Sequence, residues 1–127
     1  MTYKEERNTA LLSPQEIVDL MRREAENARI ADQGITAFER LSTRVRSRSD
    51  QHRVVAALLM NLFDQRRFRF NVLSLALLDY ATEEDCIALL RLIAMSGIPR
   101  FVREEFHRNR AFWEQLPQLH GLSPSSR

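Results

Sequence analysis

Val54-Val55-Ala56-Ala57-Leu58-Leu59-Met60, Val72-Leu73-Ser74-Leu75-Ala76-Leu77-Leu78 and Cys86-Ile87-Ala88-Leu89-Leu90-Arg91-Leu92-Ile93-Ala94-Met95 follow one another with only short polar breaks. All three are apolar on more sides than a surface helix needs, the mark of elements at the centre of a domain. Ala, Leu, Arg and Glu dominate the chain, and all are good helix formers. Three Gly and four Pro are too few for the tight turns of a sandwich or barrel. The expected fold is all-α: a compact bundle of five to six helices with these three segments at its centre.

The flanking sequence supplies the remaining helices. Ser13-Pro14-Gln15-Glu16 reads as a helix start, with Ser13 as N-cap, Pro14 at the first helical position and Glu16 closing a capping box. Ile17, Leu20, Met21, Glu24, Ala28 and Ala31 follow at helical spacing, and Gly34 is expected to end this first helix. A second helix is expected over 35–47, with Ile35, Phe38, Leu41 and Val45 facing inward. Asp50 is the expected N-cap of a third, over 51–65, and Asn71 precedes a fourth, over 72–79. Residues 68–78 also alternate like a short strand from Phe68 to Val72, but the Leu and Ala content of 73–78 favours helix. Thr82-Glu83-Glu84-Asp85 starts a fifth helix that runs to Ser96, with Gly97 as its stop and Pro99 beyond. A sixth, over 100–115, presents Phe101, Phe106 and Trp113. The domain is thus expected over 13–116, between a flexible arm at 1–12 and a frayed tail at 117–127.

A chain of 127 residues suits a single core. Cys86 is the only cysteine, so no intrachain disulfide forms and a reducing cytoplasm is the expected setting. The N-terminus lacks the apolar core of a signal peptide, and no apolar run approaches the ~20 residues needed to span a bilayer.

Reaction chemistry finds little support. Glu104-x-x-His107 has the spacing of a di-iron ligand pair, but it lacks the second copy such a site requires, and zinc ligands are equally absent. Cys86 follows three acids that oppose any lowering of its pKa, so it reads as a structural thiol. No phosphate loop or nucleophile elbow is present. The chain is expected to be no enzyme, and to need neither cofactor nor metal.

Charge is the one feature that points to a surface. Lys4 and eighteen arginines are the cations, and eight of those arginines fall between Arg40 and Arg69 against only Asp50 and Asp64. Arg44, Arg46, Arg48 and Arg53 flank one end of the third expected helix, and Arg66, Arg67 and Arg69 the other. Guanidinium forks suit carboxylate or phosphate, and the Phe68 and Phe70 interleaving suits base stacking on single strands. The plainer alternative is that these arginines solvate helix ends and pair with the acidic segments 1–39 and 70–127, while Phe68 or Phe70 enters the core. The apolar excess of the central helices adds an expectation of homodimerisation.

From Ala37-Phe38-Glu39-Arg40-Leu41 the layout resembles a family of small bacterial proteins of unknown function, often borne on plasmids and integrated elements. Gln51-His52-Arg53-Val54-Val55-Ala56, Leu58-Leu59, Asn61, Phe70-Asn71-Val72-Leu73, Asp79, Asp85 and the Leu89–Ala94 run carry it, and Arg103-Glu104-Glu105-Phe106 to Trp113 fits loosely. Asp50 and Arg66 to Arg69 replace glycines common in that family. The resemblance implies a context and no activity: a mobile-element accessory protein. Protein binding, including regulation or inhibition of a host or defence system in the manner of an anti-CRISPR, is the expected role. Nucleic-acid binding through the Arg-rich 40–69 region is the alternative.

Overall fold

The computed structural model describes residues 11–125. Over these residues the chain is all-helical, without a strand: α1 (Pro14–Arg44), α2 (Asp50–Phe63), a 3-10 helix (Val72–Leu77), α3 (Tyr80–Ser96), α4 (Arg100–Arg108) and α5 (Arg110–His120). The all-α class is as expected. Most of the proposed arm at 1–12 lies outside the described residues.

The start of α1 follows its sequence. Ser13 Oγ accepts the Glu16 amide at 3.1 Å, and Glu16 Oε1 accepts the Ser13 amide at 3.0 Å. Its expected end does not. Helix α1 runs unbroken for 31 residues through Gly34, fusing the first two expected helices. Gly34 is a packing residue: a Cβ there would sit 2.6 Å from Leu92 Cβ and 3.2 Å from the Ala88 carbonyl. Omitting the side chain lets α1 and α3 approach closely, which offsets the ~1 kcal/mol a mid-helix glycine costs.

Further along α1, Arg40 grips Asp85 and Arg44 reaches Thr82, so α3 runs antiparallel to it. Asp79, three residues before Thr82, caps α3 by accepting the Thr82 amide at 2.8 Å. Gly97, at φ +77°, ends that helix as its sequence predicts. Likewise Ser49, not Asp50, caps α2, accepting the His52 amide at 3.0 Å.

The fourth expected helix is corrected. Val72–Leu77 is a 3-10 helix with none of its residues fully buried, and it is neither α-helical, extended nor central. Asn71 Oδ1 accepts the Leu73 amide and Asp79 caps the next helix, leaving too few residues between them for an α-helix to settle. The central elements are α2, α3 and the C-terminal half of α1. The sixth expected helix divides at Asn109, and α5 then continues past Pro117 to His120, both buried. Residues 121–125 lie along α2 instead of fraying. Arg53 holds the His120 and Gly121 carbonyls, Leu122 packs against the core, and the Ser125 amide reaches the Arg67 carbonyl.

The core is aromatic at its middle. Phe38 of α1 meets Phe106 edge-on at 5.9 Å and stacks on Trp113 at 6.3 Å. Leu41, Val45, Val55, Leu58, Leu59, Met60, Leu89 and Leu116 close around them. Trp113 Nε1 donates to Glu105 at 3.2 Å, and buried His120 donates from Nε2 to the Val45 carbonyl at 2.7 Å. Its polar ends are thus satisfied, as burial requires.

The N-terminal half of α1 is built differently. Every residue from Leu11 to Arg29 is exposed, and Ile30 is the first partly covered one. Since α3 ends at Ser96, one turn past the Gly34–Leu92 contact, α1 runs on with no other described helix beside it. Sixteen residues, Pro14–Arg29, project from the bundle by about 24 Å.

Candidate functional site

The arginines singled out by the sequence fall into two groups, and the structure does not bring them together. Arg44, Arg46, Arg48 and Arg53 lie at the start of α2; Arg66, Arg67 and Arg69 lie beyond its end, about 20 Å away along a 14-residue helix.

Several of them serve the fold. Asp85, 6 % exposed, takes Arg40 in a bidentate pair at 2.7–3.2 Å, with Arg44 behind it at 3.8 Å. Arg44 also donates to Thr82 Oγ1. The Asp85 carboxylate raises the Arg40 pKa through hydrogen bonding and then charge, so the Arg40 guanidinium stays charged at any physiological pH. Arg53 satisfies carbonyls left open at the α5 C-terminus, at 3.1 and 3.3 Å. Arg46 lies over the Phe112 ring at 4.5 Å, and Arg67 over Phe68 at 5.3 Å. Phe68 is the aromatic that enters the core. Arg48, Arg66 and Arg69 are exposed and have no ion pair among the described residues. A stacked or carbonyl-bound guanidinium keeps its charge, so this part of the surface stays basic although most of its members have a structural task.

The residues weighed for chemistry are dispersed. Cys86 is buried, and burial first, then the Asp85 charge, pushes its thiol up to about 12. At neutral pH essentially no thiolate is available for attack. Glu104 and His107 sit exposed on α4 among Arg100, Arg103 and Arg108, along an open groove. Among the described residues, no three His, Cys, Asp or Glu side chains are placed to hold a metal ion, and no helix is long and apolar enough to cross a membrane.

A different surface stands out, one the charge pattern did not reveal. Leu73, Leu77 and Tyr80 are each more than 70 % exposed, and Val72 is 59 % exposed. They crowd the 3-10 helix and the first residue of α3. Beside them runs a groove of about 540 Å³ lined by Gln51, Val54 and Ala57 of α2, Ser74 and Leu77 of the 3-10 helix, and Leu122. Arg53 and Asp50 stand at its polar margin. The sequence does hold a signal for it. A six-residue element with no polar face must either be buried all round or offer its apolar side chains to something else.

Two side-chain hydrogen bonds hold the chain on either side of this patch. Gln51 Oε1 accepts the Asp79 amide at 2.8 Å, tying α2 to the start of α3. Asn61 donates to the Phe68 carbonyl at 2.8 Å, anchoring the loop that leads in. The exposed apolar side chains therefore ride on a fixed backbone. Apolar surface held open to water is a standing cost that burial would remove.

Neither a curated protein nor a solved structure matches the chain. A family model does, over residues 35–120, from the buried half of α1 through the end of α5. The chain belongs to that family, which is described as a family of unknown function (DUF7673).

Proposed function

We propose that this chain is a non-enzymatic helical protein that acts by binding another protein through the surface formed by Val72, Leu73, Leu77 and Tyr80 and the adjoining groove. The observation that carries this reading is the concentration of large exposed apolar side chains on a short, rigidly capped segment. Single exposed apolar residues are ordinary on a soluble domain; four together beside an apolar groove mark an interaction site. The partner would present a short apolar segment to the groove, with polar groups meeting Arg53 and Asp50 at its margin. The biological setting proposed is that of an accessory protein of a bacterial mobile element or phage, acting in the cytoplasm to regulate or inhibit a host or defence system. An anti-CRISPR-like inhibitor is one such role. This setting rests on the sequence resemblance alone.

A photo-crosslinking residue at position 73 tests the surface in cells of the source organism. One discrete adduct is expected, and Leu77→Glu should abolish it while the circular dichroism spectrum is unchanged. An adduct pattern indifferent to Leu77→Glu would overturn the reading.

The second reading is nucleic-acid binding, favoured by the exposed guanidinium groups of Arg46, Arg48, Arg66, Arg67 and Arg69. Several phosphate contacts would give an affinity that falls steeply with salt. Titration of mixed-sequence DNA and RNA at 50 mM salt discriminates the two. No binding there eliminates the second reading, whereas a steep salt slope that is lost in Arg46→Glu/Arg48→Glu/Arg66→Glu would displace the first.

A further inference from the structure

The projecting half of α1 is the other place where apolar side chains meet water. Ile17, Val18 and Leu20 are each about half exposed, Met21 is 64 % exposed, and Leu11 and Leu12 just before the cap are 71 % and 43 % exposed. Ile17, Leu20 and Met21 form one stripe about 100° wide. At 100° per residue, that stripe is rotated about a quarter turn from the face on which Gly34, Phe38 and Leu41 enter the core. The bundle therefore cannot cover it simply by extending α3. Glu24 interrupts the stripe one turn further on, so the apolar segment is confined to the first two turns and the residues that lead into them.

We infer that this segment pairs with the same segment of a second copy of the chain, antiparallel about a two-fold axis near residues 19–20. Two observations select that occupant. The first is charge. Glu16 and Arg23 are seven residues apart and lie on the same edge of the stripe. In a two-fold antiparallel pair, like edges meet, so Glu16 of each copy faces Arg23 of the other, twice over. Among the described residues Arg23 makes no ion pair, those of the arm being Arg22 with Asp19 and Arg29 with Glu26. The second is area. The six apolar side chains leave on the order of 500 Å² per copy, so complete cover would bury at most about 1,000 Å², the lower limit for a specific interface. The association is accordingly weak, with a Kd in the micromolar range, and the arms of a dimer bring two bundles together without covering the 3-10 patch or its groove.

Sedimentation velocity on the full chain from about 1 to 300 µM is the direct test. A monomer–dimer equilibrium is expected, with Ile17→Glu and Met21→Glu each weakening it at least tenfold and Met21→Ala weakening it less. Arg23→Glu should also weaken it severalfold with unchanged helical content. A spin label at Arg29→Cys reads orientation, because buried Cys86 is not labelled in the folded protein. Antiparallel arms separate the two labels by about 30 Å along the helix axis, while parallel arms hold them within about 20 Å. A monomer at 300 µM, a dimer indifferent to Ile17→Glu, or the short label distance would each overturn the inference.

Discussion

The two halves of α1 share one helix, one capping box and similar composition, yet only one of them belongs to the core. From Ile30 to Arg44 the helix gives Gly34, Ala37, Phe38 and Leu41 to the interior and ties itself to α3 through Asp85. From Pro14 to Arg29 every residue is exposed, and among the described residues its order rests on the Ser13–Glu16 box and on pairs such as Gln15–Asp19 and Arg29–Glu26. Side-chain pairs of this kind contribute only a few tenths of a kcal/mol each, and the capping box about 1 kcal/mol. A free helix of sixteen residues is marginal in water, and this one persists because the buried half has already met the cost of nucleation. Helical pattern specifies a helix but not what it packs against.

The largest effects should separate the halves most cleanly. Phe38→Ala removes the ring at the centre of the aromatic cluster and should cost about 3–5 kcal/mol in urea unfolding. Met21→Ala at micromolar concentration should change stability by less than about 0.5 kcal/mol. Similar costs for the two would mean that the projecting half is packed after all.

Gly34 offers a sharper probe. Alanine normally gains about 1 kcal/mol over glycine inside a helix, but here its Cβ would press on Leu92 at 2.6 Å. Gly34→Ala should therefore destabilise by about 1–3 kcal/mol, the range for overpacked sites. Ala28→Gly in the projecting half should do no more than loosen the local helix, seen as a small loss of circular dichroism signal. A stabilising Gly34→Ala would refute the close approach of α1 and α3.

The smallest effects concern the caps. The Thr82 amide bonded to its carboxylate holds Asp79 below the ordinary carboxylate value of 3.8, and the Ser13 amide does the same for Glu16 against 4.5. A carboxylate with a lowered folded pKa adds stability above its unfolded value, and that stability is lost as pH falls through the folded one. Asp79 ties α3 to the bundle, so Asp79→Ala should lower Tm by a few degrees at pH 7, and the gap from wild type should close below pH 3.8. Ser13→Ala should fray the start of α1 and leave the main melting transition in place. Equal shifts from both would erase the distinction between the halves.

Much of this was legible in the residues. The Ser13 capping box, the Gly97 stop, the central position of 54–60 and 86–93, and the burial of Phe106 and Trp113 follow from local chemistry that the fold leaves intact. Val72–Leu77 departs from its expected α-helix because Leu and Ala favour one only where there is length enough to form it, and Asn71 and Asp79 remove that length. Pro117 looked like the start of a tail because proline breaks helices in isolation; here it lies buried in α5, and Arg53 secures the carbonyls just beyond. The arginine cluster was visible as charge, but whether a guanidinium caps a helix, stacks on a ring or faces water depends on partners distant in sequence, such as His120 for Arg53 and Phe112 for Arg46.

By itself, then, the sequence determined that this chain is helical, where most helices begin, and which side chains are apolar enough to form a core. Those properties depend on residues within four positions of one another. Only the tertiary structure decided that Gly34 is a contact and not a stop, that α1 outruns its neighbour, and that Val72 to Tyr80 remains on the surface. Each depends on how far one helix extends beside another, which no local pattern encodes.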